Sequence, residues 1–340
     1  MALHKFETSE AFIAFDLDGA EVSSGPVRWA RKVLQGGAKD LARSQTYTFA
    51  VLEMARGGAS AGISAEGPDR AAALEAFRAE VAPLVESGRF LPDAAKGVAD
   101  TDLAELWSID RRDRAWLGST GERADAVSAV VTAERTVGLD GRIVAIDGLS
   151  PLGCLIADAV VARGGSVTAV ASTAGTVTNP AGFDPNALRD AWSAHGADGV
   201  AQLGDVMDVD AVFDQGAEVV FAGSATGVVD HQVAERLAGC AAVVASGRLP
   251  VTARGLAVLR RSGVAVPADF VALSGSTIAA WGVPERDDDV VLTEVDATVS
   301  AICDEVNQSG DGPLLGACYR AEAFLATWQD RLPFGRPLAP

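Results

Sequence analysis

The chain lacks the residue patterns that build several common kinds of site. Four cysteines occur in 340 residues, Cys154, Cys240, Cys303 and Cys318, and none stands in a CxxC pair. The three histidines, His4, His195 and His231, are far apart and give no HExxH. Zinc sites and disulfide frameworks need such residues at short, regular spacings. No metal is therefore expected, and the cysteines read as small buried apolar residues. Aromatic residues are scarce, at 6%. No uncharged apolar run reaches the ~18 residues of a membrane-spanning helix, and the first ten residues hold no apolar stretch like that of a secretory leader. A cytoplasmic protein is expected. Basic residues are also in short supply: 28 Lys and Arg against 46 Asp and Glu leave a net charge of −18. A surface this acidic repels phosphate backbones and anionic lipid, so no nucleic acid and no membrane partner is expected. No repeat of about 20–50 residues is visible.

What is present is an apolar, glycine-rich chain, 49% hydrophobic with 36 Gly, long enough for two domains. In the first 125 residues Ala11-Phe12-Ile13-Ala14-Phe15 runs into the turn Asp16-Leu17-Asp18-Gly19 and reads as a strand. Residues 29–51 carry apolar positions at near-helical spacing, interrupted by Gly36-Gly37. Residues 70–85 predict an amphipathic helix, 101–107 a shorter one with Thr101 as N-cap, and 124–137 another stopped by Gly138. From residue 141 the rhythm changes. Short β-branched runs at 143–146, 166–171, 218–221, 241–245 and 264–266 alternate with helical runs at 152–162, 185–194, 231–237 and 253–262. That alternation predicts a doubly wound parallel sheet with right-handed crossovers, hence an α/β fold. Two long amphipathic helices, 292–308 and 313–332, and a proline-rich tail close the chain.

Between the first strand and helix of the second part stands Gly148-Leu149-Ser150-Pro151-Leu152-Gly153. A dinucleotide-binding turn reads GxGxxG in this setting: one glycine for the turn, one for close approach of the pyrophosphate, one for helix–strand packing. Here Ser150 takes the middle place, similar to the Gly-x-Ser turn of methylenetetrahydrofolate dehydrogenases. The next strand ends Ala171-Ser172-Thr173, with no acidic residue for a ribose and no nearby Arg or Lys for a 2′-phosphate. Gly148, Ser150, Gly153 and Ser172 are the candidate cofactor contacts. They leave two alternatives open, a bound NAD(P) or a layer that holds no nucleotide, and no cofactor is assigned.

The wider context resembles the glutamate/leucine/phenylalanine/valine dehydrogenases, most closely the leucine/phenylalanine/valine branch. Residues 141–185 look like that family's cofactor domain, as do AEVVFAGSATG at 217–227, VVASGRLPVTARGLAVL at 243–259 and GVAVPADFVALSGS at 263–276. QTYTFAVLEMARGGASAGI at 45–63 resembles the segment around the family's paired lysines, and GRFLPDAAKGVADTDLAELW at 88–107 the segment carrying its acid. The resemblance implies two domains with a cleft between them: a substrate-like and oligomerisation domain over 1–125, a Rossmann-like domain over 126–285, and C-terminal helices over 286–340 packing back across the first. It also implies self-association as a homodimer or higher homo-oligomer, and an amino-acid-like small-molecule ligand.

The family's reaction uses one lysine on the substrate carboxylate, a second to activate water, and an aspartate to relay protons. Carried over position by position, these fall on Thr48, Ser60 and Ala95. The family's Glu-Gly-Ala-Asn-x-Pro stretch reads Ala245-Ser246-Gly247-Arg248-Leu249-Pro250, and a later asparagine falls on Leu273. Removing one general acid or base costs about 10²–10⁴ in rate, and groups acting as a unit fail together. The expectation is a homologue that has lost oxidative deamination, repurposed as an enzyme on an amino- or imino-acid-like metabolite. Its alternatives are a non-catalytic metabolite-binding or regulatory homologue (a pseudoenzyme) and an NAD(P)-dependent oxidoreductase on an altered substrate. Arg56, Lys96 and Tyr47 are the candidate replacements in the substrate region, with Arg28, Glu53 and Asp93 as further polar groups. Arg56 is the first choice as an anion anchor, because a guanidinium matches a carboxylate.

Overall fold

The apolar runs become two separate five-stranded sheets, one in each of the two units into which the chain divides. The computed structural model describes residues 1–282 and 287–339, so the expected boundary at 285/286 lies outside the described residues. Unit 1 comprises Met1–Gly118 with Arg320–Pro337, and unit 2 comprises Ser119–Tyr319 with Leu338–Pro340.

Unit 1 contains β1 (Ala2–Lys5), β2 (Ala11–Phe15), β3 (Ser23–Ala30), α1 (Gln35–Val51), β4 (Gly57–Ser64), α2 (Arg70–Glu86) and β5 (Leu91–Ala94). The strands lie in the order β1-β2-β4-β3-β5. β1–β2 and β2–β4 pair antiparallel, whereas β3 pairs parallel with both β4 and β5. The sequence expects helical spacing over 29–51. The structure instead keeps Trp29 and Ala30 in β3 and begins α1 at Gln35, with Gly36 and Gly37 inside its first turn. Gly25-Pro26 disguises β3, because proline rarely sits inside a central strand. The ladder accommodates it: the β3–β4 register runs Ser23↔Gly57 and Ser24↔Gly58, then resumes at Val27↔Ala61. The short helix expected from Thr101 is a 3₁₀ segment, Asp100–Leu106, preceded by Ala99. The Asp102 carboxylate accepts the Ala99 N–H at 2.8 Å, so an acidic side chain, not Thr101, closes that end.

α1 packs directly on β4. The Gly58 N–H donates to Thr46 Oγ1 at 2.9 Å, and a Cβ at residue 58 would collide with the Ala42 carbonyl. Beneath the helix, the buried Arg43 guanidinium meets the buried Asp16 carboxylate, with Nε 2.8 Å from both carboxylate oxygens. Arg43 Nη1 also donates to the carbonyls of Phe334 and Gly335. The turn that ends the first apolar run is thus tied to α1 and to the C-terminal tail of the same unit.

α3 (Arg114–Val137) runs through the 118/119 boundary. Unit 2 continues with β6 (Ile143–Asp147), α4 (Pro151–Ala162), β7 (Ser166–Ser172), β8 (Gly175–Thr178), α5 (Pro185–His195), β9 (Val219–Ala222), α6 (His231–Arg236), β10 (Ala242–Ala245), α7 (Ala253–Arg261), α8 (Asp269–Ala272), α9 (Gly275–Trp281) and α10 (Asp288–Val306). α11 (Pro313–Leu325) ends well before residue 332. The strand order β10-β9-β6-β7-β8 is parallel apart from β8 and is the doubly wound arrangement the alternation predicts. Val144, Ile146, Val170, Phe221 and Val244 are fully buried along it, as are Ile156, Ala157 and Val160 of α4. Each such large side chain contributes about 1.5–3 kcal/mol, which is why these strands read as continuous apolar runs. The run at 264–266 supplies only a single bridge, Ala242↔Ala265, since Pro267 cannot extend a ladder.

Asp16→Ala leaves a buried guanidinium without its carboxylate and is expected to destabilise the protein by about 3–5 kcal/mol. Urea unfolding of the variant beside the wild-type protein measures this, and a loss below about 1 kcal/mol would show that the pair is not a buried one in solution.

Candidate functional site

The candidate residues fall in both units, and each set has its own local frame. In unit 1, Tyr47 and Thr48 lie on α1 and Ser60 on β4, so the packing of α1 on β4 brings these three into one layer. All are buried. Thr48 Oγ1 donates to the Ser44 carbonyl at 3.1 Å, the back-bond a helical threonine makes to the preceding turn. Ser60 Oγ donates to the Pro26 carbonyl at 3.2 Å, opposite the interruption in the β3–β4 ladder. Tyr47 Oη donates to Glu322 at 3.1 Å, and Glu322 is also clamped by Arg336 at 2.6 and 2.8 Å. Arg336 first, then Tyr47, holds the Glu322 carboxyl below the usual range.

Ala95 lies one strand away, just beyond β5, where its carbonyl accepts the Val98 N–H at 2.8 Å. Lys96 beside it is exposed, and its carbonyl accepts the Trp29 N–H at 3.0 Å. Asp93 accepts from Arg112 and Arg114, each at 2.8 Å. Burial pushes the Asp93 carboxyl up, but the two guanidiniums reverse this and hold it below its ordinary value. Glu53, at a φ of 58°, accepts from Arg320 at 2.8 Å. Arg56 is half-buried before β4; burial and the neighbouring Arg111 lower its pKa. Arg28, on β3, differs from the other polar groups here: its Nε and Nη2 are buried and hydrogen-bonded to nothing among the described residues. Burial lowers its pKa, opposed by the field of Asp40.

In unit 2 the glycine motif forms the turn from β6 into α4. Gly148 has a φ of 127°, and a Cβ at residue 153 would lie 2.5 Å from the Gly148 carbonyl, so helix and turn touch backbone to backbone. Ser150 is the N-cap of α4, its Oγ accepting the Gly153 N–H at 3.1 Å. The N–H groups of Gly148 and Leu149 both donate to the Ala171 carbonyl, at 3.2 and 2.6 Å. Ser172 Oγ donates to the Ala197 carbonyl at 2.6 Å and accepts the Ala174 N–H at 3.0 Å.

These bonds decide whether the turn fits a dinucleotide. A helix N-terminus binds phosphate through its free N–H groups. In the first turn of α4, Pro151 has none, Gly153 is capped by Ser150, and Cys154 donates to the Ser150 carbonyl at 2.9 Å. Among the described residues the N–H groups of Ser150 and Leu152 remain. Ser172 is hydrogen-bonded within the chain, and no acidic residue ends β7. The donor set does not fit the pyrophosphate and ribose of NAD(P).

The sequence reading missed Asp147, the last residue of β6. Its buried Oδ2 accepts from Ser224 Oγ at 2.8 Å and from the N–H groups of Gly223 and Ser224 at 3.2 Å each. Burial pushes this carboxyl up, and those donors pull it back. The signal was visible, an ionisable residue ending an otherwise apolar strand. Nearby, Ser246 Oγ is buried without a partner among the described residues. Among those residues no cluster of His, Cys, Asp and Glu suited to a metal occurs, and no helix is long and apolar enough to cross a membrane.

A family model described as Glutamate/Leucine/Phenylalanine/Valine dehydrogenase matches residues 118–281. The glutamate dehydrogenase of Aeropyrum pernix is 26% identical over 196 residues, which is 57% of this chain and 44% of that protein. The match thus spans less than half the length of that relative. Among solved structures, the hetero-hexameric glutamate dehydrogenase of Thermus thermophilus in its Leu-bound form superposes with a TM-score of 0.75 at 20% identity, covering 96% of this chain and 86% of that one. The L-tryptophan dehydrogenase of Nostoc punctiforme gives a TM-score of 0.64 at 16% identity, covering 96% of each chain. These structural likenesses show a shared fold.

One carboxyl in unit 2 titrates close to neutrality. Asp125, on α3, accepts the Ser276 N–H at 2.7 Å at the start of α9. Burial pushes its pKa up from 3.8 to about 6, against that hydrogen bond and the field of Arg248. The folded state therefore holds this proton more tightly than the unfolded state does. The resulting stabilisation is complete below about pH 4 and is lost as pH rises through about 6, some 3 kcal/mol in all. Asp125→Asn removes the titration. Urea unfolding from pH 4 to 7.5 is expected to give a shallower pH slope for the variant, and parallel curves would show that Asp125 titrates normally.

Proposed function

We propose, from the likeness of residues 118–281 to the glutamate/leucine/phenylalanine/valine dehydrogenase family, that the chain recognises a small amino- or imino-acid-like metabolite without oxidative deamination, as an enzyme repurposed on that scaffold. The observation that carries this reading is the state of two hydroxyls. Thr48 and Ser60, the positions onto which the resemblance carries the paired lysines, are fully buried and bonded to the carbonyls of Ser44 and Pro26. Neither brings charge to a carboxylate, and neither can act as a base near neutrality. Ala95, at the position of the acid, has no proton to exchange. In unit 2 the turn into α4 keeps, among the described residues, the Ser150 and Leu152 N–H groups free, and no acidic residue ends β7, so the reading invokes no hydride transfer. Arg56 and Lys96 supply positive charge beside β4 and β5, while the Tyr47 hydroxyl serves Glu322. Self-association, most simply into a homo-oligomer, follows from the symmetry common among such enzymes.

A second reading is favoured by one relative. The Thermus structure is of a hetero-hexameric enzyme with Leu bound, an assembly of unlike subunits. A chain with these substitutions suits a non-catalytic, ligand-sensing subunit beside an active relative.

Oxidative deamination of aliphatic and aromatic amino acids with NAD⁺ and with NADP⁺ tests the first claim. The expected result is no turnover approaching about 1 s⁻¹, within the ordinary enzyme range; turnover at or above it contradicts the proposal. Thermal stabilisation by amino or keto acids is expected in the same preparation. Stimulation of an added active relative favours the regulatory subunit over the repurposed enzyme.

A further inference from the structure

The two edges of the unit 2 sheet differ in the charge and the apolar surface they offer. β8 stands at one end of the strand order and β10 at the other. Beyond β8 runs the segment 205–209, Asp-Val-Met-Asp-Val. Met207 joins it to β8: its N–H donates to the Thr176 carbonyl at 2.8 Å, and its carbonyl accepts the Thr176 N–H at 3.1 Å. Thr176 Oγ1 donates to the Val209 carbonyl at 2.8 Å. The segment is thus held in place, yet its large side chains are bare. Val206, Met207 and Val209 are 45, 37 and 44% exposed. A single exposed valine needs no explanation, but large apolar residues grouped this closely form a patch of the kind that contacts another protein. Asp205 and Asp208, also exposed, stand among them. Neither has an ion pair among the described residues, whereas the nearby Asp210 and Asp214 both meet Arg236.

The opposite edge offers the complement. Beyond β10 the run 264–266 makes one bridge, Ala242↔Ala265. Both backbone groups of Ala265 bond toward β10, to the Ala241 carbonyl at 3.0 Å and the Val243 N–H at 2.9 Å. The Val264 carbonyl and the Val266 N–H have no backbone partner among the described residues. Alongside lies an open groove of about 310 Å³. Val264 and Val266 line it, with Leu256 and Arg260 of α7 and Leu314 and Leu315 of α11. α7 carries three exposed arginines, Arg254, Arg260 and Arg261, none with an ion pair among the described residues. Elsewhere in unit 2, Arg123, Arg135, Arg142, Arg163, Arg189 and Arg236 each meet a carboxylate. Arg260 and Arg261 suit the C-terminal end of α7, but Arg254 stands in its first turn, where the helix dipole opposes a cation. The helix alone gives no reason for it.

We propose that these two edges are the halves of one contact between copies of this chain. Segment 205–209 of one copy lies along 264–266 of a second, with Val206, Met207 and Val209 covering the groove and Asp205 and Asp208 facing the arginines of α7. Opposite charge brings the edges together and sets their register. Burial of the apolar side chains holds them, and the pinned backbone of the segment lowers the ordering cost of docking. The Val206 N–H and carbonyl have no backbone partner among the described residues either, so the contact can add ladder bonds to both edges. Each copy offers one edge of each kind. The contact is therefore heterologous, and it propagates head to tail until a ring closes or a filament forms. It does not rest on the ligand or the reaction proposed above.

Sedimentation velocity of the whole chain from about 1 to about 200 µM tests this with two variants. Met207→Asp spoils the segment, and Arg260→Glu combined with Arg261→Glu spoils the groove. Each variant alone is expected to associate at least about 10-fold more weakly than the wild type and so to sediment as a smaller species. An equimolar mixture of the two is expected to regain association, because each keeps one intact edge, and that recovery shows both to be folded. The milder pair Met207→Ser and Arg260→Ala repeats the test where either charge variant melts below the wild type. A wild type of the same mass as both variants at every concentration overturns the proposal. Loss of association in only one variant overturns it as well. So does loss in both without recovery in the mixture, which marks a contact that pairs like surfaces.

Discussion

Water is excluded between α1 and β4, so a polar side chain there must find its partner within the chain. Thr46, Thr48 and Ser60 all do, through the Gly58 N–H and the carbonyls of Ala42, Ser44 and Pro26. The same rule explains why Asp16 and Arg43 meet beneath the helix, since neither charge is tolerated alone in that layer. A lysine at residue 48 or 60 would need an outlet for its ammonium group. The hydroxyls need none: Thr48 bonds back within α1 and Ser60 bonds across to β3, while Thr46 ties α1 to β4.

Unit 2 obeys the same constraint at the carboxyl ends of its strands. In a doubly wound sheet ligands bind there, using backbone donors that the fold leaves free. This chain closes most of them. Ser150 caps α4, Pro151 brings no N–H, and Ala171 takes two donors of the turn. Asp147 gathers the N–H groups of Gly223 and Ser224. The motif Gly-x-Ser-Pro-x-Gly keeps the two glycines that shape the turn, while the residues between them satisfy its donors from inside.

Legibility followed the kind of interaction. The parallel sheet of unit 2 could be read from sequence because β6, β9 and β10 are buried on both faces and appear as unbroken apolar runs. The sheet of unit 1 could not, apart from β2. Its central strand β3 carries Gly25-Pro26, and β4 is written GGASAGIS, small residues chosen for the close approach of α1 rather than for strand propensity. The partner of Thr48 is local, the Ser44 carbonyl one turn back in α1, but those of Ser60 and Tyr47 could not be read, because Pro26 and Glu322 are brought close by tertiary packing. Asp147 and Asp125 likewise take their character from neighbours more than 70 residues away in sequence.

The most direct measurement is a titration with NADH followed by energy transfer from the protein's tryptophans to the reduced nicotinamide. Donors satisfied within the chain predict no saturable transfer up to millimolar dinucleotide. Saturable transfer at one NADH per chain would mean that the turn at Gly148 opens its donors to a pyrophosphate, and would contradict the account.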